Sequence, residues 1–203
     1  MDSRDETPTG TQAHTQTATA QTAPRGRTLW HRFARREGGS VAIEFAALVI
    51  PFSMLVFAVL ESCLSFAAQQ ILASATDDVA REFRTGRVRP ADLVENPNLV
   101  REKICAKIEV VVTTGCAGLE IDLKSYDTFE EAAAKRVRFT ENGDIDTAGF
   151  GIDPGKSGTK NQLRVFYRWP VITDFARKAV SNLPDGKTLL FSSVTWQNEP
   201  FDD

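Results

Sequence analysis

Glu44 is the residue whose type and position most strongly suggest chemistry. It stands at the start of an apolar run, and the sixteen residues from Phe45 to Leu60 carry no charge. An ionisable side chain in such a run is costly in a membrane and therefore suggests a function. Gly39 and Ser40 lie five and four residues before Glu44. A glycine step, a small residue and a carboxylate are thus grouped within about two helical turns.

The other reactive residue types do not form a recognisable catalytic or metal site. The two histidines, His14 and His31, both precede the apolar run, so no Ser–His–Asp or Cys–His site is expected after it. The stretch GIDPGKSGTK at 151–160 invites a phosphate-loop interpretation, but Phe150 stands where that motif requires a glycine. We expect a surface loop there, and neither an enzyme nor a bound metal or cofactor.

The apolar run predicts a single membrane-spanning helix. Residues 41–60 or 45–68 would suffice, because a span needs about 17–25 residues. A span over 45–68 would include the charged residue Glu61 near its C-terminal end. The preceding residues 25–36 contain five arginines and no acid, which is typical of a flank that stays in the cytoplasm. We therefore expect the N-terminus in the cytoplasm and the C-terminal part outside.

Three alternatives compete for this segment. A plain membrane anchor would give Glu44 no role. A secretory signal cut near residues 73–75 would have an unusually long apolar run. Nucleic-acid binding by the arginines is disfavoured because they flank a membrane span, so we expect no nucleic-acid partner.

The segment resembles a known family. The glycine step, Glu44 as fifth residue after a cut following Gly39, and Phe45 as the sixth resemble the processing site of type IV prepilins and pseudopilins. The run AIEFAALVIP, with Pro51, and the continuation LESCLSFAAQQILASATDDVAREFRTG are similar to the TadE/TadF-type minor pseudopilins of the tight-adherence (Tad, Flp pilus) system. The specific resemblance covers about residues 38–86, and the ending NEPF also looks like a TadE-like tail.

This resemblance implies a function in pilus assembly. A prepilin peptidase would cut between Gly39 and Ser40, leaving a positive amine on Ser40. Glu44 would neutralise that amine, its own or a neighbour's, when helices pack together. The implied partners are the peptidase, other pilins and pseudopilins, and the inner-membrane secretion machinery, with the exterior part in the periplasm. The alternatives are an uncut membrane-anchored scaffold or a periplasmic binding module.

The rest of the chain predicts an α+β fold. We expect a disordered and then basic leader over 1–39, a transmembrane and extended helix over 40–86, and a periplasmic domain over 87–203. The helix should end at Gly86, and its apolar stripe should pack on the domain, whose antiparallel sheet would resemble that of pilins. Within the domain we expect one helix at 98–108, another at 175–180, and strands at 110–112, 119–123, 163–169 and 188–196.

The cysteines divide by their location. Cys105 and Cys116 lie in the predicted exterior domain with ten residues between them. An oxidising compartment favours a disulfide between them, and two reduced, separately buried thiols are the alternative. Cys63 lies near the outer edge of the span, where we expect it to be packed rather than reactive.

Overall fold

The computed structural model describes residues 37–173, 177–178 and 181–201, and the side chains from residue 41 onward. The predicted disordered leader and its basic flank at 1–36 lie outside the described residues, as do most of the predicted helix at 175–180. The chain divides into two compact units, Met1–Ile50 and Pro51–Asp203.

The longest element is helix α1, Glu37–Arg84, which has 48 residues and contains Pro51. It ends where the sequence predicts. The amide of Arg87 donates to the Glu82 carbonyl at 2.9 Å, and Gly86 adopts a left-handed φ of 67°, as helix-terminating glycines commonly do. A Cβ at this position would also lie 2.8 Å from the Phe201 ring, so glycine is required there for two reasons.

Three shorter helices have both ends within the described residues: α2, Pro90–Glu95; α3, Leu99–Ile108; and α4, Phe129–Ala134. Pro90 occupies the first turn of α2, a position that tolerates the missing amide hydrogen. Thr128 caps the start of α4, and its side chain accepts a hydrogen bond from the Glu131 amide. Helix α3 agrees with its prediction, whereas α2 and α4 were not predicted.

The sheet has three antiparallel strands in the order β1-β2-β3. They are β1, Leu119–Tyr126; β2, Lys160–Pro170; and β3, Lys187–Gln197. The register pairs Leu123 with Leu163 and Leu163 with Val194. These strands contain the three longest predicted ones. The α+β prediction, with a long apolar helix before a small antiparallel sheet, is confirmed.

The predicted strand at 110–112 is wrong. The chain turns there, with the amides of Val111 and Val112 donating to the Ile108 carbonyl at the end of α3. Val110 is largely exposed. The run of valines favours a strand, but it lies within the short loop that joins Cys105 to Cys116, which leaves no room for one.

One face of the sheet packs on the second half of α1. The helix contributes six buried apolar residues to the core, and α3 contributes Val100, Ile104 and Ile108. The predicted packing of the apolar stripe on the C-terminal part of the chain is therefore observed. The residues from α1 are Ala68, Leu72, Ala75, Val79, Ala80 and Phe83.

The opposite face of the sheet carries both polar and aromatic side chains and is partly covered by the chain between β1 and β2. A buried ion pair joins Arg164 of β2 to Asp122 of β1, which are direct cross-strand partners. Beside them the Phe166 ring stacks on Phe150 at 5.4 Å and on Phe191 at 4.8 Å. The two faces therefore differ in chemistry, because alternate strand residues point to opposite sides.

Candidate functional site

The candidate site is the first half of α1, where apolar side chains are exposed on every side. Between Val41, 67% exposed, and Leu60, 53% exposed, the large apolar side chains remain uncovered. A helix that is hydrophobic all round requires burial by lipid or by other helices. Among the described residues, α1 is the one helix long and apolar enough to cross a membrane. A single-pass membrane anchor fits this arrangement.

The C-terminal part of the chain first covers the helix at Glu61. This side chain is only 5% exposed. Twenty helical residues, 41–60, rise about 30 Å, which is about the thickness of the hydrocarbon core of a bilayer. A span of 45–68 would instead place protein-covered residues such as Ala68 in lipid. The geometry therefore favours 41–60 over the alternative.

Glu61 binds the backbone that follows β2. Its Oε1 accepts a hydrogen bond from the Ile172 amide at 2.5 Å, and its Oε2 accepts from the Thr173 amide at 3.2 Å. The Thr173 hydroxyl donates to the same oxygen. Both carboxylate oxygens are thus used to hold a chain segment 111 residues away. The sequence analysis considered Glu61 only as a charged residue at the far edge of a longer membrane span, and did not predict this contact.

Gln69 makes a second polar attachment, two turns further along the helix. Its amide nitrogen donates to the Phe191 carbonyl at 2.8 Å, and its amide oxygen accepts from the Phe191 amide at 3.2 Å. Phe191 lies in β3, the strand at one edge of the sheet. Gln69 therefore satisfies both backbone groups of one edge residue, much as a neighbouring strand would.

The predicted processing residues lie near the start of α1. Gly39 and Ser40 have helical backbone. Glu44 is exposed, and Phe45 is 66% exposed. On a helix, positions 40 and 44 are neighbours on one face. The structure thus brings Ser40 and Glu44 to adjacent turns of the same element, while cleavage after Gly39 stays a prediction.

Cys105 and Cys116 are joined in a disulfide with their Cα atoms 5.8 Å apart. Glu109 lies close to both sulfurs, but sulfurs joined to each other are not thiolate metal ligands. The Glu109 carboxylate instead accepts a hydrogen bond from the Gly115 amide at 3.1 Å. This bond connects the two ends of the loop between the cysteines. Cys63 is exposed, so the expectation that it is packed is wrong. It lies on a part of α1 that the C-terminal part of the chain does not cover.

Comparison with known proteins supports the resemblance over this same segment. The family model described as TadE-like protein matches residues 39–81. No curated protein matches the chain, and no solved structure matches it. The predicted TadE-like resemblance is thus confirmed for most of α1. The matched region begins at Gly39 and includes Glu44, Glu61 and Gln69.

Proposed function

We propose that this protein is a minor pseudopilin that acts in the assembly of a Tad/Flp-type pilus. The observation that carries the proposal is the TadE-like match over 39–81, which falls on a helix whose first half is apolar and uncovered. Association with a Tad pilus is what the family implies. The pseudopilin role and the processing described below are the finer parts of the proposal.

Processing begins with a cut by a prepilin peptidase between Gly39 and Ser40 at the cytoplasmic side of the membrane. The arginines at 25–36 keep the leader in the cytoplasm, since basic flanks are retained there. The same orientation puts the sheet domain in the periplasm. The disulfide agrees with that compartment, because disulfides persist where the environment is oxidising.

Assembly follows from the burial that the helix requires. When α1 leaves the bilayer, its apolar surface must pack against helices of other pilins or pseudopilins. The new amine on Ser40 would then be buried too, and an unpaired buried charge is strongly unfavourable. Glu44, one turn away, neutralises the amine of its own chain or of a neighbour and so fixes the axial register.

Replacing the carboxylate tests this function. Glu44→Gln keeps the shape and the hydrogen-bonding capacity but removes the charge, so membrane insertion and the cut should persist while piliation is lost. The assay is piliation or surface adherence in a strain carrying only the mutant copy, with protein level and cleavage measured on the same samples. Glu95→Gln, on exposed α2, is the matched control and should assemble normally.

Two outcomes contradict the proposal in different ways. Normal piliation by Glu44→Gln would make Glu44 a boundary residue and remove charge pairing from the mechanism. Normal piliation in a strain lacking the protein altogether would remove the assembly function itself. An uncut protein that is still needed for piliation would instead be the anchored scaffold.

A further inference from the structure

A basic cleft lies on the face of the sheet opposite the one that packs on α1. It has a volume of about 320 Å³ and opens between β1, β2 and the chain that follows α4. This is near the lower end of the volumes of small-molecule pockets, about 300–1,000 Å³. Its charged lining comprises five cations and one acid: Lys124, Lys135, Arg136, Arg138, Arg164 and Asp146.

Two of the five cations are held within the protein. The Arg164 guanidinium pairs with the buried carboxylate of Asp122, and the Lys124 ammonium donates to the Gly149 carbonyl. Arg164 is itself buried. It therefore forms a fixed part of the cleft, and its charge is already compensated.

The other three cations, Lys135, Arg136 and Arg138, are uncompensated. Their side chains are exposed, and within the part of the chain that the structure describes none of the three has an ion pair or a hydrogen bond. The carboxylate of Asp146, the acid of the cleft, accepts from the Ala148 amide at 2.9 Å. The cleft thus presents three unpaired positive charges on a chain whose net charge is −3.

The backbone that carries these three cations is held at both ends. The Lys135 carbonyl accepts a hydrogen bond from the Arg164 guanidinium at 3.3 Å, and the Arg138 carbonyl accepts one from the Asp146 amide at 2.9 Å. The three side chains therefore extend from an anchored segment. Binding a ligand there costs less ordering of the chain than binding on a free loop would.

Tyr126 adds a neutral donor to the same cleft. Its side chain lines the cleft and is half-buried. Among the described residues its hydroxyl has no hydrogen-bond partner. A phenol can donate one hydrogen bond, so Tyr126 is available to an oxyanion that the neighbouring cations attract.

We propose that the basic cleft binds a small ligand that carries two or more oxyanion groups, either phosphate or carboxylate. Ammonium and guanidinium groups form charge-assisted hydrogen bonds with both. Three unpaired charges are better matched by a polyanion than by a monovalent ion, and the volume suits a small molecule. The inference goes beyond the assembly function and does not depend on the cut after Gly39.

The test measures binding of tripolyphosphate and of citrate to the full chain in neutral detergent by titration calorimetry. The salt concentration is about 0.15 M, at which exposed charges more than about 8 Å apart are largely screened. We expect saturable one-to-one binding of both. The triple variant Lys135→Gln/Arg136→Gln/Arg138→Gln should bind about tenfold more weakly or worse, at an unchanged unfolding temperature because these side chains are exposed.

Two further variants separate a site from a general effect of charge. Arg81→Gln/Arg84→Gln/Arg87→Gln removes three exposed cations near the end of α1 and is the matched control, which should bind as the parent protein does. Tyr126→Phe removes only the unpartnered hydroxyl and should weaken binding by about two- to tenfold, the value of one hydrogen bond.

Several results would overturn the inference. These are the absence of saturable binding of both probes, parental affinity in the triple variant of the cleft, and equal weakening in the control variant. Inorganic phosphate that binds as tightly as tripolyphosphate would also overturn it, because one oxyanion group would then suffice.

A competition experiment identifies the source of the oxyanions. Cardiolipin, whose headgroup carries two phosphates, is added to the detergent micelles, with phosphatidylcholine as the comparison. Displacement of tripolyphosphate by cardiolipin alone would assign the cleft to lipid headgroups. Retention of tripolyphosphate in both would assign it to a soluble polyanion.

Discussion

Glu44 and Glu61 are two carboxylates on one helix with different surroundings. Glu44 is exposed on a stretch of α1 whose apolar side chains are uncovered. Glu61 is buried and accepts hydrogen bonds from the chain after β2. Glu61 is therefore used within the chain, whereas the carboxylate of Glu44 is accessible from outside it.

Loss of the Glu61 carboxylate should loosen the segment after β2. Glu61→Ala removes the acceptor of the Ile172 and Thr173 amides, and a hydrogen bond to a charged group contributes about 1.5–3 kcal/mol. We expect a lower unfolding temperature and faster proteolysis after residue 170, measured on the full chain in detergent. Glu95→Ala is the exposed control. Equal proteolysis of both variants and the parent would mean that Glu61 does not hold this segment.

Tyr167 should make the fold sensitive to alkali. Burial raises the pKa of its phenol above the usual 10.0, against smaller opposing effects of Thr113 and Lys187. Because the folded pKa is the higher one, this stabilisation is complete below the unfolded pKa, about 10, and is lost as the pH rises toward the folded value.

Tyr167→Phe should therefore lose less unfolding free energy between about pH 8 and about pH 11 than the parent protein. The measurement is denaturant unfolding at both pH values. Burial also raises the pKa of Tyr126. The variant should therefore still lose some unfolding free energy as the pH rises, though less than the parent protein. An unchanged pH dependence would show that Tyr167 does not contribute to it.

At the scale of elements, α1 has two functions that divide near Leu60. Its first half exposes apolar side chains, and its second half supplies buried residues to the core formed with the sheet. The disulfide ties α3, which contains Cys105, to Cys116, three residues before β1.

The disulfide should form in exported protein and stabilise the domain that contains the sheet. Closing a loop of this length contributes about 2–3 kcal/mol, so reduction or Cys105→Ser should lower the unfolding temperature. Cys63→Ser is the control and should change it little. Without reduction, alkylation of unfolded protein should label Cys63 alone. Labelling of Cys105 and Cys116 in that sample would show that the bridge is absent.

At the scale of the whole molecule, the sequence predicted the features that depend on local pattern. The uninterrupted apolar run predicted the helix, and alternation in LEIDL and LRVFYRW predicted β1 and β2. Helix α4 had a usable signal that was not applied: Thr128 followed three residues later by Glu131, the pattern of a capping box. Contacts between distant residues could not be predicted this way, and the binding of Glu61 to Ile172 is an example.

The cut after Gly39 is the central claim, and mass spectrometry of the membrane-extracted protein tests it most directly. The comparison uses cells with and without the prepilin peptidase, together with Gly39→Trp, whose bulky side chain should block the peptidase active site. We predict a mature chain beginning at Ser40 only when the peptidase is present and Gly39 is intact. A full-length chain in peptidase-containing cells, or a Ser40 terminus at normal yield from Gly39→Trp, would contradict the account.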